Sequence, residues 1–149
     1  MEPSNALMLD LNVILDVVQQ REPFYEDSAS VLSKALDREV AGHLPAHALP
    51  TLYYIIKKSA GRERAEEVLD LLLDNFAIVP QGRSQFLRAR SLRLADFEDA
   101  LVAVSADESG CQWIITRNVE DFEGSPIVAL TPGEFLAGES EPDSSGETM

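Results

Sequence analysis

Acidic residues fall where an α/β chain could gather them. Asp10 closes the apolar run that starts at Ala6, Asp96, Glu98 and Asp99 open an apolar helical stretch, and Asn118 with Asp121 follows the apolar run Trp113–Ile115. In open parallel sheets, ligands bind beyond the carboxyl ends of the strands, and these positions sit at such ends or at helix starts that can face them. Two carboxylates at ~4 Å repel by about 4 kcal/mol at an effective dielectric of 20. A converging set therefore either shares protons or holds a cation, and oxygen ligands suit hard divalent ions such as Mg²⁺ and Mn²⁺. Each acid also has a plainer reading: Asp10, Asp96 and Asp121 can cap the helix or turn that follows, and Glu98 is expected to point into water. Asp99 stands apart, because it lies one turn into a helix whose next residues, Ala100, Leu101, Ala103 and Val104, must be buried.

The elements that must position these residues alternate β-like and helical patterns, as in a parallel sheet flanked by helices. Strands are expected at Ala6–Leu9, Val40–Leu44, Ala77–Pro80, Gln112–Thr116 and Pro126–Leu130. Helices are expected at Asn12–Gln20, Glu26–Arg38, from near Pro50 to Gly61, and at Arg62–Asn75, Ser84–Leu94, Asp96–Glu108 and Pro132–Leu136. Pro50 is tolerated in a first turn, and Gly61 is a plausible C-terminal cap. One domain over residues 1–136 suffices. Residues 137–149, rich in Gly, Ser, Glu and Pro, are expected to be a disordered acidic tail.

The 149 residues, 45% hydrophobic and 26% charged, suit one soluble globular domain. No run approaches the ~20 apolar residues of a membrane span, and no basic stretch precedes the first apolar run, so neither a membrane anchor nor a secretory signal is expected. The single Cys111 is expected to be a buried thiol, which fits a cytoplasmic protein. A net charge of −14 argues against gripping nucleic acid by charge alone. Basic residues do cluster, at Lys57, Lys58, Arg62 and Arg64 and again at Arg83, Arg88, Arg90 and Arg93. They either guide a nucleic acid or coat ordinary solvated helix faces.

Four segments in order resemble the PIN-domain family, in particular VapC-type toxin ribonucleases. They are Leu9-Asp10-Leu11-Asn12-Val13-Ile14-Leu15-Asp16, Asp96-Phe97-Glu98-Asp99-Ala100-Leu101, Ile114-Ile115-Thr116-Arg117-Asn118-Val119-Glu120-Asp121-Phe122, and Val128-Ala129-Leu130-Thr131-Pro132-Gly133-Glu134-Phe135. The resemblance implies an α/β fold with helices on both faces of a parallel sheet. It implies hydrolysis of RNA phosphodiester bonds with Mg²⁺ or Mn²⁺. Asp10 and Asp99 would be metal-binding aspartates, with Asp96 a nearby extra acid. Asn12 would steady the site, Thr116 would hydrogen-bond within it, and Asn118 or Asp121 would take the remaining position. Arg117 would stand near the phosphate.

An antitoxin protein and a homodimer are the implied partners, with the helix pair Asn12–Gln20 and Glu26–Arg38, joined at Phe24 and Tyr25, as a groove for an antitoxin peptide. One departure stands out. The family's early glutamate in the helix after the second strand is absent, and Thr51 is the residue nearest that place in Pro45–Tyr53. His47 could substitute as a ligand, although a lone histidine in an Ala/Leu/Pro stretch is usually structural. A non-catalytic, degenerate PIN fold acting as a binding module is the alternative. A phospho-receiver domain fails for want of an acidic pair on the first strand and of any lysine after Lys58. A haloacid-dehalogenase phosphatase fails because position 12 is Asn12.

Overall fold

A computed structural model describes residues 5–140. The elements run β1 (Ala6–Leu9), α1 (Leu11–Val18), α2 (Tyr25–Leu36), β2 (Ala41–Pro45), α3 (Ala48–Ala60), α4 (Arg62–Asn75), β3 (Ala77–Val79), α5 (Arg83–Leu92), α6 (Phe97–Glu108), β4 (Trp113–Ile115), a 3-10 turn (Val119–Phe122), β5 (Ala129–Leu130) and α7 (Pro132–Ser140). All five strands are parallel, in the order β3-β2-β1-β4-β5. The chain moves outward from β1 through β2 to β3, then returns to the other side of β1 for β4. The switch point therefore lies between β1 and β4, where the crevice of an open α/β sheet forms.

β1 is buried at every position because it is central. Leu7 and Leu9 face one side with Leu44 and Ile115, under Val13 and Ile14 of α1, Val31 of α2, Leu52 of α3 and Phe135 of α7. Ala6 and Met8 face the other side with Ile114 and Ala129, under Val102, Ala103 and Ala106 of α6. The period-2 alternation of a strand thus serves two cores. α6 has a second buried flank, where Ala100, Leu101 and Val104 meet Ala89 of α5. A helix covered on both sides reads as apolar nearly all round, which explains the unbroken buried run Ala100–Ala106.

Local chemistry sets several boundaries. Gly61, at φ +96°, ends α3 and begins α4 without a Cβ penalty. Gly42 of β2 lies under Phe76, whose ring carbon would stand 2.5 Å from any added Cβ, so the strand accepts only glycine there. The expected elements are all present, with shifts of a few residues at their ends. Two shifts are larger. β5 is only Ala129–Leu130, because Pro126 cannot donate to the ladder and pairing with β4 begins at Ala129. α7 passes the expected stop at Leu136 and runs to Ser140, so the first four residues of the expected tail are helical; the rest of that tail lies outside the described residues. Among the described residues, no helix is long and apolar enough to cross a membrane.

Candidate active site: an acidic crevice at the switch point

Asp10 follows the last residue of β1, and its backbone N–H still bonds Ile115 O at 2.9 Å, so the ladder to β4 fixes its position. It stands at the N-cap position of α1 but makes no side-chain cap bond to that helix. Its Oδ2 instead accepts from Thr116 Oγ1 at 2.8 Å and from Asn12 Nδ2 at 3.1 Å. Thr116 is fully buried at the end of β4, and its Oγ1 also accepts the Asn118 N–H at 3.1 Å. One hydroxyl therefore ties the end of β1 to the loop that carries Asn118 and Asp121. Burial raises the Asp10 carboxyl above its ordinary value, and the bonds from Thr116 and the Leu11 N–H, the nearby His47 and the bond from Asn12 pull the other way.

Asp99 reaches the same crevice from α6. Asp96 is the N-cap of that helix, its Oδ1 accepting from the N–H groups of Glu98 (2.7 Å) and Asp99 (3.2 Å). That cap orients the first turn so that Asp99 and Glu98 border a cavity of about 170 Å³ with Asp10, Asp121, Asn118, Asn12 and His47. Leu11, Pro45, Ala48 and Val102 complete the wall. Asp99 is pushed up to about 7, first by burial and then by the charges of Asp10, Asp96, Asp121 and Glu98. The carboxylates share a cavity without closing on one another: among the described residues, no three His, Cys, Asp or Glu side chains are already grouped as a ligand shell.

The donor set suits a hard cation. It is built of carboxylate and amide oxygens, and Asn12 Oδ1 is buried with no hydrogen-bond partner, because Nδ2 is committed to Asp10. A buried oxygen left without a donor is the kind of atom a cation would satisfy.

Several expected placements change. Glu98 is exposed, as expected, and also borders the cavity, because the Asp96 cap fixes the turn that carries it. Asp96 itself spends an oxygen on the cap, and its charge still reaches Asp99. Both Asn118 and Asp121 line the crevice. His47 lines it as well; Thr51 does not, its hydroxyl bonding back to His47 O at 3.4 Å.

Arg117 turns away. Its Nε bonds Asp16 Oδ2 at 3.1 Å, and its guanidinium lies 4.5 Å over the Phe24 ring. That stacking also occupies the joint of α1 and α2 expected to form a peptide groove. Asp16 is fully buried within α1, and Arg21 and Ser28 add further partners. Its place inside an apolar helix was the available sequence signal for a buried ion pair. Arg88 is likewise committed, pairing with Asp107 and, at 3.2 Å, with Glu108 of α6. Cys111 is buried against Ser109 Oγ, and burial pushes its thiol up, away from nucleophilic use.

Comparisons with known proteins bear on the family and the fold. A family model described as PIN domain matches residues 6–120. Ribonuclease VapC1 of Aquifex aeolicus (strain VF5) is 25% identical over 137 residues, 89% of this chain and 94% of that protein. A toxin–antitoxin complex from Klebsiella pneumoniae superposes with TM-score 0.65 at 21% identity, covering 85% of this chain and 97% of its counterpart. Mycobacterium tuberculosis VapC20, described as a sarcin–ricin-loop-cleaving toxin, superposes with TM-score 0.65 at 11% identity, covering 82% and 96%. These structural likenesses establish a shared fold.

Proposed function

The chain belongs to the PIN-domain family, and from that premise we propose that it is a metal-dependent endoribonuclease, the toxin of a toxin–antitoxin pair acting in the cytoplasm. The observation that carries this reading is the convergence of Asp10, Asp99 and Asp121, from three separate parts of the chain, on one cavity at the sheet's switch point. Uncompensated, the set is unfavourable, as the raised Asp99 records. The ribonuclease name of the Aquifex relative supports the substrate class.

Asp10, Asp99 and Asp121 would hold the cation, with Asn118 and the free Asn12 Oδ1 as further oxygens. When bound, Mg²⁺ or Mn²⁺ supplies charge for the scissile phosphate and makes water acidic enough to attack near neutral pH. The chain's own contribution is arrangement. Thr116 and Asn12 hold the Asp10 carboxylate in one rotamer, and the Asn118 N–H on Thr116 Oγ1 keeps the following loop in register. The apolar wall of Leu11, Pro45, Ala48 and Val102 limits water around the reacting phosphate.

Structural neighbours that are toxin–antitoxin complexes support an antitoxin partner. The homodimer is proposed by the same resemblance, and the half-exposed Phe86, Leu87 and Phe97 on neighbouring α5 and α6 are apolar surface such contacts could cover. The second reading, a non-catalytic binding module, is favoured by the neutral Thr51 and the absence of any acid in Pro45–Tyr53.

An RNA cleavage assay with Mn²⁺, comparing the wild-type chain with Asp99→Asn, decides between them. The nuclease reading expects a loss of at least about 100-fold, the upper end of what loss of a metal site's supporting partner costs. Equal rates in the two proteins, or no saturable Mn²⁺ binding to the wild type, would leave only the binding module.

A further inference from the structure

Most side chains of the crevice offer oxygen. A phosphodiester also brings oxygens, and apart from a cation it needs N–H or O–H donors to hold it. The Asn12 amide N–H and the Thr116 hydroxyl are already given to Asp10. Of the other side chains in the cavity, the Asn118 amide and the His47 ring can still donate, and the contacts of His47 favour one ring tautomer.

Gln81, just past β3, accepts the His47 backbone N–H on Oε1 at 3.0 Å, which fixes the orientation of the glutamine amide. Gln81 Nε2 then lies 2.9 Å from His47 Nδ1 and 3.1 Å from Ser105 Oγ. Two N–H groups cannot point at each other across 2.9 Å, so Nδ1 presents its lone pair and accepts. The Oε1 atom also comes within 3.3 Å of Nδ1, but it is the farther atom and already serves the backbone N–H. Neutral His47 therefore carries its proton on Nε2. His47 lines the cavity whereas Gln81, which holds Nδ1, does not, so Nε2–H is the ring donor left for a ligand there.

The brace spans three elements: the turn after β2, the end of β3, and buried Ser105 on α6, the helix that also carries Asp99. A histidine anchored so closely to the acid-bearing helix is placed with a precision that a merely space-filling residue does not need.

We infer that His47, its tautomer set by Gln81 and its ring braced through Ser105, is a substrate-binding residue that donates Nε2–H to a non-bridging oxygen of the RNA phosphate, rather than a metal ligand. The inference rests on the nuclease reading, and it explains how the site can lack an acid at Thr51 and still be furnished on that side.

The test uses the full chain. Nitrogen NMR of the His47 imidazole should show the Nε2–H tautomer in the wild type. Gln81→Glu, whose carboxylate can only accept, should switch it to Nδ1–H. His47→Ala should leave the affinity for Mn²⁺ alone within about 2-fold, and lower the affinity for a single-stranded RNA oligonucleotide and its cleavage by about 10- to 100-fold. That is the range of one hydrogen bond to a charged group. Gln81→Glu should lower both in the same way while keeping the imidazole.

An Nδ1–H tautomer in the wild type, a tenfold loss of Mn²⁺ affinity in His47→Ala, or unchanged RNA affinity in that variant would each overturn the inference. If the wild type cleaves no RNA, the nuclease reading fails. The tautomer and the RNA affinity of His47→Ala still decide the role of His47.

Discussion

Two buried aspartates, six residues apart, illustrate opposite uses of the same side chain. Asp10 is 8% exposed and Asp16 is 0% exposed. Asp16 is held by cations of its own chain, Arg117 at 3.1 Å and Arg21 at 3.8 Å, with Ser28 beside it. Asp10 accepts from two neutral side chains, Thr116 and Asn12, with His47 nearby, and its neighbours across the cavity, Asp99 and Asp121, are acids. A carboxylate whose charge is balanced internally fastens the α1–α2 hairpin to the segment after β4. A carboxylate left unbalanced, but held in one orientation, is a place for something from outside. Burial alone does not separate the two; the sign of the neighbours does.

The largest effect should come from breaking the balanced site. Arg117→Met leaves Asp16 buried with only the longer Arg21 and Ser28 contacts, and should lower unfolding free energy by about 3 kcal/mol. Asp10→Asn should leave stability unchanged or raised while removing RNA cleavage. Denaturant titration of both variants checks the contrast, and a large destabilisation by Asp10→Asn would erase it.

A smaller change tests how the unbalanced site is held. Thr116→Val keeps the shape and deletes the hydroxyl, so Asp10 loses its shortest bond and the Asn118 N–H loses its acceptor. The expected cost is about 1 kcal/mol in stability and about 10-fold in Mn²⁺ affinity and cleavage. Calorimetric Mn²⁺ titration reads it, and wild-type affinity would show that Asp10 needs no such support.

The smallest effect is a slope. Asp99 has its ordinary value of 3.8 in the unfolded chain and about 7 in the folded one. Below pH about 4 both states hold the proton. Between about 4 and 7 the unfolded state releases it while the folded state keeps it, so ionisation favours unfolding and metal-free stability falls as pH rises; above about 7 it levels off. Asp10, raised in the same direction, steepens the fall. Added Mn²⁺ takes the ionised carboxylates and should stabilise increasingly with pH. Melting temperatures from pH 4 to 8, with Mn²⁺ and with chelator, should diverge in the wild type and converge in Asp99→Asn.

Much of this organisation was legible along the chain. The apolar spacing of Arg62–Asn75 reproduces α4 residue for residue, Ala6–Leu9 is β1 as read, and Gly61 divides α3 from α4. Asp10, Asp99, Asn118 and Asp121 stand out by type and position and Asn12 through the family resemblance, and all five line one cavity. His47, Glu98, Arg117 and Asp16 were harder. Nothing local distinguishes Arg117, which pairs with Asp16, from a neighbour that faces the crevice.

The sequence by itself determined the elements, their order and the identity of the acids, because period, caps and turn residues act over a few positions of the chain. Only the tertiary structure decided which charges are neutralised and which are not. That depends on strand order and side-chain direction across 101 residues for Asp16 and Arg117 and 34 for His47 and Gln81, and electrostatic energy is set by separation in space, not along the chain.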